Sequence, residues 1–144
     1  MSKADRAAEL YAEGFSCSQA VFTAFSEDFG LERETSLKLA QPFGGGMAHL
    51  GEACGAVTGA FMAIGLKYGR TRAEDLEARD RTYALQSRFT EKFKALHGSL
   101  HCSGLLGLDL GTDEGMALAR EKNLFKTLCA GYVRSAAEIL DEIL

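Results

Sequence analysis

Only one proline, Pro42, and no tryptophan occur among the 144 residues, and alternation of apolar and polar positions is almost absent. Scarce proline leaves helices uninterrupted, and missing period-two patterning argues against a sheet. No apolar run approaches the ~20 residues that a spanning helix needs, so membrane insertion is not expected. The formal charge is −4, from 16 basic and 20 acidic residues, with no Lys/Arg cluster. That balance argues against a general nucleic-acid binder. The first ten residues alternate charge with alanine and lack the apolar stretch of a signal peptide, so a cytoplasmic location is expected.

Three familiar motifs are also missing. Without Cys-x-x-Cys, neither a thioredoxin-type pair nor a zinc knuckle is written locally. Without Cys-x-x-Cys-His, covalent c-type haem is not encoded. The glycine-rich stretch at residues 43–47 lacks the Gly-Lys-Ser/Thr ending of a phosphate loop, so nucleotide binding is not supported.

What is there is an ordinary globular composition, 47% apolar and 25% charged, with a length suited to one domain. Glycine punctuation divides the chain into an all-α, single-domain bundle of about six or seven helices. The pattern predicts helices over residues 3–13, 16–30 with Ser16 as N-cap, and 32–40 ahead of Pro42. An irregular glycine-rich stretch, 42–51, leads into an apolar helix over 52–68. Thr71 is expected to cap the longest helix, 72–96, with Leu85, Phe89, Phe93 and Leu96 on one stripe. A short turn or helix at His101 and Cys102, a helix capped by Thr112, and a last helix from near Leu128 complete the chain.

The chemistry is expected on Cys17, Cys54, Cys102 and Cys129. In a reducing compartment an even cysteine count is not a disulfide framework. The four lie 37, 48 and 27 positions apart, so only the fold can assemble them. Cys54 is placed in the first turn of its helix, where unpaired N–H groups and the helix dipole favour the thiolate. Cys17, directly after Ser16, has a similar setting. Taken singly, each cysteine also reads as a small inert hydrophobe of a helical core.

Gly51, Gly55, Gly59 and Ala63 recur every four residues along the apolar helix. Glycine inside a helix costs about 1 kcal/mol relative to alanine, so something must approach that face closely. Tight helix packing is the general cause of such seams. The sharper reading is a cofactor or substrate lying against Gly55 and Gly59, near Cys54. His49, in the glycine-rich stretch, is within reach of the same helix start as proton acceptor or ligand. His97 and His101 read as solvated or capping residues.

The segment Cys54-Gly55-Ala56-Val57-Thr58-Gly59, after Phe43-Gly44-Gly45-Gly46-Met47 and before Gly65-Leu66-Lys67-Tyr68-Gly69, closely resembles the C_GCAxxG_C_C family of small bacterial and archaeal proteins. Cys17-Ser18-Gln19-Ala20-Val21, Cys102 before Leu105-Leu106-Gly107, and Leu124-Phe125-Lys126-Thr127-Leu128-Cys129 extend the resemblance over nearly the whole chain. The family is described as redox-active, and the resemblance implies that all four cysteines act together. A related domain occurs in split-Soret cytochromes, but the missing attachment motif keeps their haem from being carried over.

Three readings follow. In the first, cysteine pairs cycle between dithiol and disulfide, with Cys54 as the low-pKa attacking thiolate and an unknown redox partner or small molecule as counterpart. In the second, Cys17, Cys54, Cys102 and Cys129 hold an iron–sulfur cluster or other metal for electron transfer. In the third, the cysteines are inert and the protein, a homodimer through its many apolar faces, acts through its surfaces.

Overall fold

The structure, a computed structural model, describes residues 1–144. Ser2 starts the first helix, α1 (Lys3–Ala12), through a reciprocal capping box with Asp5, and Ala4, Ala7 and Leu10 form its buried stripe. Ser16 and Gln19 form a second capping box at the start of α2 (Cys17–Ser26), which is buried over nearly its whole surface. Gly30, at φ +89°, ends the 3-10 turn that follows. α3 (Arg33–Ala40) stops at a 3-10 turn, Gln41–Phe43, carrying Pro42.

The apolar helix α4 (Gly55–Tyr68) begins three residues later than expected. Residues 52–54 are extended instead, because their polar backbone groups pair elsewhere: Cys54 N–H donates to the Leu100 carbonyl at 2.8 Å, and Ala53 bridges His101. α5 (Leu76–His97) also starts later than the pattern suggested. Asp75, not Thr71, is its cap, since the aspartate carboxylate accepts the Ala78 N–H. Phe89 and Phe93 are buried on its inner stripe, whereas Leu96 is exposed. α6 (Cys102–Leu106) is one short turn; α7 (Asp113–Glu121) carries the expected Thr112 cap. A π-helical turn, Phe125–Cys129, then feeds α8 (Ala130–Ile143). There are thus eight helices, slightly more than the sequence suggested, and no strand. No helix is long and apolar enough to cross a membrane.

Helices α2, α4 and α8 form the centre, with α1 laid across α2 and α8 and α5 across α4 and α8. Their main core includes Val21, Phe25, Val57, Ile64, Val133 and Leu140. A second, smaller core gathers Cys102, Leu106, Leu110, Ala119 and Cys129. Tyr11, Cys17 and Tyr132 pack against both, so the cysteines lie at the seam between the two cores.

The glycine face of α4 lies on the backbone of α2. A Cβ at Gly59 would sit 2.8 Å from the Ser18 carbonyl oxygen and 3.2 Å from its Cα. Backbone cannot yield as a flexible side chain can, so Gly59→Ala is expected to destabilise the fold by about 1–3 kcal/mol. Gly131, exposed in α8 with open space beside it, is the control: Gly131→Ala should stabilise by about 0.5–1 kcal/mol. Urea denaturation of the two variants checks both signs.

Candidate functional site

A cavity of about 650 Å³ lies where the two cores meet, and all four cysteines line it. Each comes from a different element: Cys17 from the first turn of α2, Cys54 from the residue capping α4, Cys102 from the start of α6, and Cys129 from the π-turn. Cys17 is partly exposed and the other three are buried; none is in a disulfide.

Glycine makes this convergence physically accessible. A Cβ at Gly55 would fall 3.0 Å from the Ser18 nitrogen and 3.2 Å from the Cys17 Cβ, so only glycine lets the start of α4 rest on the start of α2. Gly45, Gly46, Met47, Ala48 and His49 run consecutively at φ between +54° and +68°, forming a left-handed turn. For its three non-glycine residues that conformation costs about 1–2 kcal/mol each. Hydrogen bonds hold it: Glu52 N–H donates to the Gly46 carbonyl at 3.0 Å, and Cys102 N–H donates to the Glu52 carbonyl at 2.6 Å. The same stitch seats Cys102 against Gly46, whose missing Cβ would lie 2.6 Å from the Cys102 Cβ.

Two tyrosines lock the opposite wall. The Tyr11 hydroxyl donates to the Phe125 carbonyl at 2.7 Å, tying the π-turn to α1. The Tyr132 hydroxyl donates to the Leu105 carbonyl at 3.0 Å, tying α6 to α8. π-turns recur at functional sites, and this one presents Cys129. Tyr11 and the π-turn carry no local sequence signal; Tyr11 reads as an ordinary position of an amphipathic helix.

The remaining expected residues separate. Gly55 and His49 line the cavity, His49 from its exposed mouth, whereas Gly59 lies outside the cavity against Ser18. His97 bonds Ser135 at 2.8 Å and packs between Phe93 and Tyr132, and His101 is the residue capping α6. No three His, Cys, Asp or Glu side chains are arranged to hold a metal ion together.

The thiols are electrostatically unequal. Cys17 and Cys129 act on each other's titration in opposite directions. The neighbouring Cys17 and Tyr11 side chains hold Cys129 below the usual thiol pKa despite its burial. Cys17 moves the opposite way, raised by Cys129 and by its own burial. Cys54 reverses the expectation of a depressed pKa: burial pushes it up to about 11. The N–H groups of Ala56 and Val57 favour its thiolate but do not prevail, and the Val57 N–H is already engaged by the Cys54 carbonyl at 2.9 Å. Burial pushes Cys102 up to about 12.

These shifts act on stability. Above the thiol pKa of the unfolded chain, the unfolded state releases the Cys54 proton while the folded state keeps it until about pH 11. Stability should therefore decline as pH rises through that window, by roughly 3 kcal/mol from this residue. Denaturation of wild type and Cys54→Ala across the window checks it: the variant should have the shallower decline.

The sequence from residue 15 to residue 143 matches the family described as "Putative redox-active protein (C_GCAxxG_C_C)". No curated protein and no solved structure matches the chain. The family match spans most of the chain and all four of the cysteines that the cavity collects, so the protein belongs to the C_GCAxxG_C_C family.

Proposed function

We propose that this protein works by dithiol/disulfide exchange, with Cys129 as the attacking thiolate and Cys17 as the thiol that resolves it. The observation carrying this reading is the convergence of Cys17 and Cys129 on the wall of one largely apolar cavity. A thiolate is the nucleophile in such exchange, and a neighbouring thiol converts a mixed disulfide into an internal one. Tyr11 is a positioning residue: its hydroxyl secures the π-turn through the Phe125 carbonyl, and its presence beside Cys129 lowers that thiol's pKa. Cys54 and Cys102, held protonated by burial, complete the wall as uncharged thiols at neutral pH. The attacking role thus moves from Cys54, where the sequence placed it, to Cys129.

A brief pulse of iodoacetamide on reduced protein near neutral pH, followed by peptide mapping, tests the assignment. Cys129 is expected to label first and Cys54 and Cys102 to stay unlabelled, since a thiol of pKa near 11 is only about 0.1% ionised at pH 8. One equivalent of oxidant should then yield a Cys17–Cys129 disulfide, which Cys129→Ser abolishes and Cys54→Ser leaves intact. Tyr11→Phe should raise the pH at which Cys129 labels and slow labelling several-fold at neutral pH. Preferential labelling of Cys54, or a disulfide joining Cys54 to Cys102, would sink the assignment.

A further inference from the structure

The cavity's lining identifies a substrate class, an inference that rests on the dithiol reading above. Phe15, Leu105, Leu106 and Phe125 make its body apolar, and no Asp or Glu lines it. Lys126 is its one Lys or Arg. The Lys126 ammonium belongs to none of the protein's ion pairs and donates no side-chain hydrogen bond. In a chain of net charge −4, a cavity with a free cation and no carboxylate is a local reversal of sign. Lys126 also belongs to the π-turn that ends at Cys129, so one turn presents both the cation and the thiolate.

We infer that the cavity takes a small organic disulfide with an apolar body and an anionic end, the anion paired with Lys126 and the disulfide facing Cys129. The Cys129 thiolate attacks one ligand sulfur, forming a mixed disulfide and expelling the other half as a thiolate, which takes up a proton. Cys17, giving its proton to solvent, attacks the Cys129 sulfur, forming the Cys17–Cys129 disulfide and releasing the second half. Two protein thiols are oxidised and one ligand disulfide is reduced to two thiols, a balanced two-electron exchange. The volume of about 650 Å³ falls in the range of sites that enclose ligands of this size.

Two aromatic disulfides of similar shape test the inference by stopped flow on reduced protein: dithiobis(nitrobenzoate), an anion, and dithiodipyridine, which is neutral. Lys126→Gln is expected to slow the anionic reagent by about five-fold and the neutral one by less than two-fold. Lys126→Arg should restore the anionic rate, and added salt should slow the wild type but not Lys126→Gln. Equal slowing of both reagents would assign Lys126 to the thiol rather than the ligand and overturn the inference, as would no slowing of either. Binding of anilinonaphthalene sulfonate, followed by fluorescence in the Cys17→Ser/Cys129→Ser double variant, separates the two proposals. If that binding depends on Lys126 while neither reagent produces a Cys17–Cys129 disulfide, the dithiol reading fails and anion recognition stands. If the disulfide forms but neither reactivity nor sulfonate binding responds to Lys126, the substrate class fails alone.

Discussion

Glycine spaced every four residues lets α4 lie on the backbone of α2, and the approach of Cys54 to Cys17 depends on that contact. Gly59 meets the carbonyl and Cα of Ser18, and Gly55 meets its amide and the Cβ of Cys17. Two further close approaches continue the chain of contacts. Gly44 rests on the Ser16 side chain that caps α2, and Gly46 rests on Cys102. Four missing methyl groups thus set the distances among three cysteine-bearing elements. A Cβ at Gly46, Gly55 or Gly59 would press on a neighbouring backbone, a displacement that a close-packed interior transmits rather than absorbs.

The cysteine wall is held by opposed terms. The left-handed turn from Gly45 to His49 is unfavourable in itself, by about 3–6 kcal/mol over its three non-glycine residues. Its return is a set of hydrogen bonds: the Glu52 N–H donates to the Gly46 carbonyl, the Cys102 N–H to the Glu52 carbonyl, and the Ser103 N–H and hydroxyl to the Gly51 carbonyl, the hydroxyl at 3.0 Å. Across the cavity the π-turn leaves backbone groups out of helical register, and Tyr11 supplies a donor to one of them. Strain on one wall and an irregular turn on the other both occur where cysteines are presented. That coincidence is the pattern expected of a site whose geometry matters more than local stability.

The all-helical class, caps at Ser16 and Thr112, the buried stripe of α8 and the close approach along the α4 glycines were all legible, because capping and period-3.6 burial are local properties. The start of α4 was not. Residues 52–54 read as helical by composition, but their hydrogen bonds go to Leu100 and Cys102, nearly fifty positions away. The same long-range pairing misled the ranking of the thiols. A helix start favours a thiolate most where its N–H groups are free and solvent is near; at Cys54 the Val57 N–H is already engaged and burial excludes solvent. Cys129 acquires its preference from Cys17 and Tyr11, both over a hundred positions away, and no reading of spacing contains that information.

Putting four thiols into one apolar cavity constrains how many can ionise together. Two like charges about 4 Å apart repel by about 4 kcal/mol at an effective dielectric near 20, equivalent to about three pKa units. Once Cys129 carries a charge, its neighbours are therefore held further toward the protonated form, the direction in which Cys17, Cys54 and Cys102 are all displaced. The cluster then behaves as one thiolate backed by three thiols, not as four equivalent nucleophiles. Under the proposed exchange this asymmetry supplies a direction: attack begins at Cys129, and Cys17 gains nucleophilic character only after Cys129 has surrendered its charge to the mixed disulfide.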